Sequence, residues 1–361
     1  MADTVVPLNL TPELQQLLGR QTSQALTALL ASLSHQPLRV WLVGGVVRDQ
    51  WLHRHRKGGK GTGQDPVVQP MDVDLLLAPD RQAPELTVSQ LAPHWDAAVA
   101  AAGWCLKTQI HGDFGTAHLA LHPRKAQSRQ SQPTDQPLLA IDVAMARTEH
   151  YPAPGDNPRV TLTAAPAAAL ADLRRRDVSI NAMALPWPHG PLLDPHGGQQ
   201  DLEQGLLRFL HGASLSDDPT RVIRAARYGA RLHMDLAPEA RQQLQDTMVL
   251  WPWRRESPCP PALGSRLGME LALLLQQEPW RQGLTLLQRW GALDLVDWSG
   301  TLQQDSTWRR RLHWAARWKL PLLPALLMGA AAPLDVARRL QLPMAQQRLM
   351  AQTLALQDWL G

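Results

Sequence analysis

The sequence predicts an α+β fold, in which a small mixed β-sheet with helices is followed by an all-α remainder. Short apolar runs typical of strands occur within the first 150 residues, together with helical segments such as residues 84–103. From Ala165 onward the apolar residues recur at helical spacing to the end of the chain, interrupted by proline-rich joints.

The individual elements follow from local patterns. Residues 11–33 carry Leu, Ala and Gln at helical spacing, which predicts a leading helix. The Gly44-Gly45 pair follows an apolar run and predicts a turn into a helix that begins at Val46. Polar residues 124–136 lack periodicity and predict a loop. The predicted strands cover residues 40–43, 72–77, 104–110, 115–121 and 138–146.

Bulk composition is that of a globular protein. The 361 residues are 44% hydrophobic and 19% charged, enough for two or three domains. The net charge of +4 fits a polyanionic partner but does not by itself identify one. Cys105 and Cys259 form neither a disulfide framework nor a metal-ligand pattern, and we expect both thiols to be buried or partly buried. No run of 18 apolar residues and no signal peptide is found, so the expected location is cytoplasmic and no membrane is involved.

Two carboxylates stand at the start of the second predicted strand. Asp72 and Asp74 are at positions i and i+2, so their side chains project from the same face of a strand. Two hard cations could bind between this pair and a phosphate. Upstream, the Gly44-Gly45 turn directs the first N–H groups of a helix toward an anion. A glycine turn for a triphosphate beside a metal-binding acid pair predicts nucleotidyl transfer.

Four further segments carry residues suited to the same chemistry. They are residues 141–147 with Asp142, 174–184 with Arg176, Asp177 and Asn181, 194–202 with Asp194, Gly198 and Asp201, and 217–227 with Asp218, Arg221 and Arg224. By contrast, residues 53–69 only faintly resemble a P-loop, because the required G-x-x-x-x-G-K-[ST] spacing is absent. That segment predicts a basic surface loop.

Taken in order, these segments closely resemble the class II tRNA nucleotidyltransferase and bacterial poly(A) polymerase family, a group of polymerase-β-like nucleotidyltransferases. The match runs from about Val40 to Leu232. The resemblance implies a polymerase-β-like head at residues 1–165, a helical neck for base recognition at 166–250, and a helical body and tail at 251–361. The part after Leu232 is assigned by position alone, because no motif there can be carried over.

The resemblance implies a metal and phosphate site in the head. Asp72 and Asp74 would hold two Mg²⁺ ions, one at the RNA 3′-hydroxyl and one at the triphosphate. Asp142 would add a third carboxylate, although it could also be an ordinary acid at a strand edge. The implied triphosphate cradle consists of Gly44, Gly45 and Arg48.

The next two motifs are expected to bind the sugar and to support the fold. Arg176 would reach the phosphates, and Asp177 would accept a hydrogen bond from the ribose 2′-hydroxyl. Asn181 follows the motif, with a structural role as the alternative. The residues expected to fix a turn and cap the next helix are Asp194, Gly198 and Asp201.

Asp218 and Arg221 carry the hypothesis of base selection. At i and i+3 of a helix they would be neighbours, for which a surface salt bridge is the simpler interpretation. The resemblance instead makes them a protein template. Cytosine and adenine present an amino donor beside a ring-nitrogen acceptor, which fits a carboxylate beside a guanidinium, whereas uracil and guanine reverse both polarities. Arg224, one turn further along, would face the same pocket and bind phosphate.

The helical remainder is rich in tryptophan and arginine around residues 308–319. Phosphates need Lys or Arg and exposed bases stack on aromatic rings, so this segment suits contact with tRNA. Trp314 and Trp318, at i and i+4, also suit a buried helical stripe, and the two interpretations are compatible. In the resembled family such helical domains hold the tRNA acceptor stem and T-arm. No pattern indicates a protein partner.

Several alternatives remain open on the sequence. The substrates would be CTP, ATP or both, as in CCA-adding, CC-adding or A-adding enzymes. A poly(A) polymerase would share these motifs, but the long basic C-terminal tail expected for general RNA binding is not found here. The intact acids and arginines argue against a non-catalytic RNA-binding relative. The stretch between Leu52 and Asp72 looks longer than is usual in the family, and its role is not explained.

Replacement of either member of the proposed template should relax nucleotide choice. We expect Asp218→Ala or Arg221→Ala to lower the preference for CTP and ATP over UTP and GTP more than it weakens metal binding. Incorporation assays with all four nucleotides measure this. Unchanged selectivity in both variants would contradict the template hypothesis.

Overall fold

A computed structural model describes residues 11–56, 72–112, 115–123, 137–250 and 260–360. The chain divides into two compact units. The first unit comprises residues 1–149 and 160–202, and the second comprises 150–159 and 203–361. The three-part division at residues 165 and 250 stays a prediction. Within the described ranges no helix is long and apolar enough to cross a membrane.

The elements up to residue 204 include both helices and strands. In chain order they are α1 (Pro12–Leu18), α2 (Arg20–Leu33), β1 (Leu38–Val43), α3 (Gly45–Arg56), β2 (Asp72–Pro79), α4 (Val88–Ala101), β3 (Trp104–His111), β4 (Thr116–Pro123), β5 (Leu139–Met145), β6 (Arg147–His150), β7 (Arg159–Leu162), α5 (Ala168–Arg174), β8 (Ala184–Trp187) and α6 (Gly198–Gln204).

The elements after residue 204 are nearly all helical. They are β9 (Leu206–Leu207), α7 (Ser214–Asp217), α8 (Thr220–Leu232), β10 (Asp235–Leu236), α9 (Pro238–Val249), α10 (Pro261–Gln277), α11 (Trp280–Trp290), α12 (Thr301–Gln304), α13 (Trp308–Arg317), α14 (Leu322–Leu327), α15 (Pro333–Arg339) and α16 (Met344–Leu360). The predicted α+β head followed by helices is confirmed.

The principal sheet has the strand order β3-β4-β5-β2-β1-β8. β2 and β5 are parallel and the other neighbours are antiparallel, so the predicted mixed sheet is confirmed. All five predicted strands are present within two residues of their expected ends. The prediction missed β8, which lies at the edge of the sheet. There Pro186, which has no N–H to donate, is tolerated because one side of an edge strand has no partner strand.

The helices near the N-terminus differ from the prediction in their limits. The single leading helix expected at residues 11–33 is two helices, because Gly19 between them adopts a φ of +77°. The helix after Gly44 is confirmed as α3. The helix expected from Pro84 begins at Val88, where Thr87 and Gln90 form a capping box.

The two faces of β2 have different surroundings. Val73, Leu75 and Leu77 are buried on one face, and the alternate positions from Asp72 to Ala78 share the other. On that second face the far end of β2 is apolar. It joins one buried cluster in which α5 packs against the sheet, composed of Trp41, Val43, Leu76, Ala78, Ala146, Ala168, Ala169, Leu173 and Ala184. The polar residues of β2 are therefore restricted to its start.

In the second unit α8 packs against both α10 and α11. Its arginines meet two buried acids, Glu270 and Glu278. Arg227 Nη1 lies 2.6 Å from Glu270 Oε2 and its Nε lies 3.4 Å from Glu278 Oε1. Arg231 donates to both oxygens of Glu278. Because a buried carboxylate without a partner is costly, this ladder of ion pairs holds α8 and α10 together.

Two expectations concern residues outside the principal elements. Cys105, expected to be buried or partly buried, is exposed, because it lies on the polar face of β3. Cys259, the loop at residues 124–136 and most of the basic segment (residues 57–71) lie outside the described residues.

Two glycines allow α10 to pack closely on the end of α15. A Cβ at Gly264 would collide with the carbonyl oxygen of Arg339, and one at Gly268 would lie 2.6 Å from the carbonyl oxygen of Leu340. These carbonyls are backbone, so neither can rotate away. Close backbone contact therefore requires glycine at both positions.

Gly268→Ala should destabilise the protein by about 1–3 kcal/mol through overpacking. In an uncrowded helix the same change stabilises by roughly 0.5–1 kcal/mol, so the expected sign is opposite to that of helix propensity. Urea unfolding measures the difference. Ser265→Ala, at an exposed position of the same helix, is the matched control. Equal or greater stability of Gly268→Ala would refute the close contact.

Candidate active site

The Asp-x-Asp motif lies at the start of β2, beside the end of β1. The two strands are antiparallel and pair Val43 with Asp74, so the turn that follows Val43 comes next to the motif. Gly44 adopts a φ of +71°, and a Cβ there would lie 2.7 Å from Asp74 Oδ2 and 3.1 Å from Arg176 Nη1. The Asp74 carboxylate and the Arg176 guanidinium thus both lie against Gly44, where a side chain has no room.

A third carboxylate lies beside the motif in the next strand. The parallel pairing of β2 and β5 places Asp142 opposite Asp74, so both project from the same face. Asp142 is exposed and its Oδ1 lies 2.7 Å from Nδ1 of His118, the residue opposite it on β4. The register brings Asp142 to the candidate site, and its role as a third carboxylate stays a prediction.

The donor chemistry of the site fits a hard divalent cation. Asp72 and Asp74 occupy the same face, and carboxylate oxygens are the ligands that Mg²⁺ prefers. Within the described ranges no group of three or more His, Cys, Asp and Glu side chains is already arranged around a common point. Two carboxylates leave other coordination positions of such an ion open to oxygens of a substrate.

A buried polar network underlies the Gly44 turn. Arg48 is 3% exposed, and it donates from Nε to Asp49 and from Nη1 to Asn181 at 2.8 and 2.7 Å. Asn181 in turn donates to Asp177 Oδ1 at 3.4 Å, and the same oxygen accepts the Val178 amide. Asn181 thus makes the contacts that its structural alternative requires, and its role stays a prediction. The nucleotide contacts expected of Arg48 and Asp177 stay predictions.

The scaffold expected from residues 194–201 is confirmed. Asp194 accepts hydrogen bonds from the amides of Gly198 and Gln199, which begin α6. Asp201 accepts from the Ser179 hydroxyl at 2.5 Å. A Cβ at Gly198 would lie 2.5 Å from the Ser179 carbonyl oxygen. These contacts fix the segment that contains Asp177 and Asn181.

In the second unit, Asp218 precedes α8 rather than lying on it. Its φ and ψ of −141° and 95° are extended, because the following Pro219 disfavours a helical conformation. The expectation that Asp218 and Arg221 share one helix is therefore wrong. Asp218 Oδ1 accepts from the amide and hydroxyl of Thr220 and caps the helix start. Arg221, in the first turn, is 4% exposed and donates to the Ser214 carbonyl oxygen at 3.2 Å.

Charged groups surround this pair. Burial raises the pKa of the neighbouring Asp217, against the charges of His211 and Arg221, which lower it. Arg224 lies 3.7 Å from Glu270 and donates to Tyr228, so the phosphate contact predicted for it stays a prediction.

Sequence reasoning missed two residues near these groups. His118 pairs with Asp142 through strand register, which spacing along the chain does not reveal. Arg266 on α10 lies 3.6 Å from Asp218 Oδ2 and donates to the carbonyl oxygen of Gly155. Neither residue stands in a recognisable motif, so only the tertiary fold could identify them.

The exposure of Trp314 and Trp318, in and next to α13, decides between burial and exposure for this aromatic segment. Trp314 and Trp318 are 50% and 69% exposed, so the buried-stripe interpretation is wrong. The buried positions are Trp308, Leu312 and Ala315, a different face of the same helix. Arg317 lies 5.9 Å from the centre of the Trp314 ring. Tryptophan and arginine side chains therefore share an exposed surface.

The chain is similar in sequence to proteins of a known family. Residues 40–208 match the poly A polymerase head domain. The CC-adding tRNA nucleotidyltransferase of Deinococcus radiodurans is 33% identical over 314 residues, which cover 83% of this chain and 70% of that protein. The chain belongs to the tRNA nucleotidyltransferase and poly(A) polymerase family.

Other members of the family differ in length and specificity. The A-adding tRNA nucleotidyltransferase of Aquifex aeolicus is 30% identical over 287 residues, which cover 77% of this chain but 29% of that protein. A solved apo structure of a CCA-adding enzyme superposes with a TM-score of 0.65 at 22% identity, covering 95% of this chain and 71% of that one. The fold is therefore that of a poly A polymerase head domain followed by helices.

Gly44→Ala should damage the candidate site, whereas Gly45→Ala should not disturb its packing. At Gly44 the positive φ costs an alanine about 1–2 kcal/mol, and the Cβ would displace the Asp74 carboxylate. At Gly45 a Cβ would lie 3.5 Å from Arg48 Nη2, an ordinary contact. Thermal unfolding and nucleotide incorporation measure both effects. Equal melting temperatures and equal rates in the two variants would contradict the geometry.

Proposed function

We propose that this chain adds C, A or both to the 3′ end of tRNA by metal-assisted nucleotidyl transfer from CTP or ATP. The observation that carries the proposal is the meeting of the Asp74 carboxylate and the Arg176 guanidinium at Gly44. This point is also the N-terminal end of α3, where backbone N–H groups are available to an anion. Phosphoryl transfer needs an acid for metal ions and positive groups for the phosphates.

Each part of the head has a position in the proposed reaction. Asp72 and Asp74 would hold two Mg²⁺ ions, with Asp142 beside them as a third carboxylate. Such ions, when bound, favour attack by a hydroxyl and stabilise the leaving phosphate. The chain itself binds and orients the substrate: the Gly44 turn and Arg176 hold the triphosphate, and Asp177 accepts a hydrogen bond from the ribose 2′-hydroxyl.

Base selection is assigned to Asp218 and Arg221. Thr220 holds one oxygen of Asp218, and Ser214 holds one nitrogen of Arg221, so both groups are oriented before a nucleotide binds. A fixed pair supports selectivity, because the wrong base would leave a desolvated donor or acceptor without a partner. Cytosine and adenine match the pair, and uracil and guanine do not.

The RNA partner is assigned to the helices of the second unit. The exposed face of α13 combines Trp314 and Trp318 with Arg310 and Arg317. Aromatic rings stack on bases and arginines bind phosphates, which supports contact with tRNA through its acceptor stem and T-arm. The proposed location of the reaction is the cytoplasm.

Three tRNA substrates distinguish the possible activities. One ends before CCA, one carries the first C, and one carries both C residues, and each is offered CTP or ATP. Extension of only the CC-ended tRNA by ATP defines an A-adding enzyme, and extension only by CTP defines a CC-adding enzyme. Sequential addition of all three residues defines a CCA-adding enzyme.

The same assay separates the alternatives. Repeated addition of A to an unrelated RNA would replace the proposal with a poly(A) polymerase. Asp72→Asn and Asp74→Asn should each lower the rate of nucleotide incorporation about 10³-fold or more, because metal binding is lost. Chelation with EDTA should do the same, and added Mg²⁺ should restore activity. No incorporation by the unmodified protein on any substrate would overturn the proposed function.

A further inference from the structure

Asp172 is a fully buried acid at the end of α5 that pairs with two successive arginines. Its Oδ1 accepts hydrogen bonds from Nε and Nη2 of Arg175, at 2.9 and 2.6 Å. Its Oδ2 lies 3.3 Å from Nε and 3.2 Å from Nη2 of Arg176. The i, i+3 and i, i+4 spacings bring all three residues to one side of the helix end.

A second acid extends this arrangement. Glu149 Oε1 lies 2.9 Å from Arg175 Nη1 and 3.1 Å from Arg147 Nη2. The charges therefore alternate in the order Arg147, Glu149, Arg175, Asp172 and Arg176. Arg175 contacts both Glu149 and Asp172. It binds Oδ1 of Asp172, whereas Arg176 binds Oδ2, so Arg175 fixes the carboxylate without competing with Arg176.

The geometry of Arg176 shows what this pairing achieves. A guanidinium is planar and rigid, so anchoring its Nε and Nη2 edge determines the direction of the remaining nitrogen. Asp172 binds that edge, and Nη1 is the atom that lies 3.1 Å from the Cβ position of Gly44. Arg176 itself is largely buried, which leaves little room for another orientation.

The end of α5 that carries Asp172 is held in place by apolar packing. Leu173, the residue after Asp172, belongs with Ala168 and Ala169 to the apolar cluster that joins α5 to the sheet. The same cluster contains Val43, the residue before Gly44. Asp172 and the Gly44 turn are therefore each held next to a residue of the same packed core.

We propose that Asp172 is a positioning residue for triphosphate binding: it holds the Arg176 guanidinium at the Gly44 turn in the orientation that meets the incoming phosphates. This inference rests on the proposed function, because the phosphate contact of Arg176 is part of that function. Asp172 does not contact the nucleotide and acts only through Arg176. Glu149 contributes indirectly, through Arg175.

Asp172→Asn tests the proposal because it preserves the size of the side chain and removes its charge. We expect the KM for both CTP and ATP, or for whichever the enzyme uses, to rise about tenfold, as for loss of one charge-assisted contact. We expect kcat to change less than about threefold and the choice between nucleotides to stay the same, since every nucleotide carries the same triphosphate. Calorimetric titration with ATP or CTP in the absence of tRNA should show a matching loss of affinity.

The decisive measurement is a double-mutant cycle with Arg176→Gln. If Asp172 acts through Arg176, Asp172→Asn adds no further rise in KM in the Arg176→Gln background. Additive effects in the cycle would overturn the proposal. Asp297→Asn, at a buried acid of the second unit that accepts a hydrogen bond from the Leu302 amide, is the matched control and should lower the melting temperature without changing KM.

The outcomes separate this proposal from the proposed function. No incorporation by the unmodified protein would refute the function itself, and an unchanged KM in Arg176→Gln would refute the phosphate contact. A raised KM in Arg176→Gln with an unchanged KM in folded Asp172→Asn would refute only the positioning role. If Asp172→Asn does not fold, Glu149→Gln takes its place in the cycle, with an expected rise of about threefold that also disappears with Arg176→Gln. Absence of that rise would overturn the proposal.

Discussion

The register between β1 and β2 determines what lies at the ends of both strands. Val43 pairs with Asp74, and so the glycine turn after β1 meets the acid pair at the start of β2. A shift of one residue would turn Asp72 and Asp74 toward the face on which Val73 and Leu75 are now buried. Each apolar side chain exposed by such a shift would cost roughly 1.5–3 kcal/mol, and each buried carboxylate would cost several more. The acids are thus placed by the burial of their apolar neighbours.

Charges in the head are paired before any substrate binds. Arg48 and Asp49 are both about 95% buried or more and form an ion pair at 2.8 Å, and Asn181 links them to Asp177. Buried polar groups of this kind hold one arrangement firmly, because each lost partner leaves a desolvated group unpaired. The main effect of such a network is to fix the orientation of its side chains. That property suits a site in which the protein contributes mainly by orienting groups.

The sequence was informative wherever local chemistry decides the structure. The five strands, the helix after Gly44 and the cap formed by Asp194 follow from periodicity, glycine and capping rules, and all are found. The failures concern contacts between distant segments. Exposure of Trp314 depends on which face of α13 the neighbouring helices cover, and the link from His118 to Asp142 depends on strand register. The extended conformation of Asp218 is a different case, since Pro219 gave a local signal that the helical spacing obscured.

The arginines of the second unit fall into two groups with different responses to ionic strength. Arg227 and Arg231 are tied to the buried acids Glu270 and Glu278, where dissolved ions have little access. The arginines on the face of α13 are exposed to solvent, where the Debye length is about 8 Å at physiological salt. Binding of a polyanion to such a face releases counterions and weakens steeply as salt rises. A rise in salt concentration would therefore dissociate a nucleic acid bound to the exposed arginines of α13 before it separates the helices of this unit.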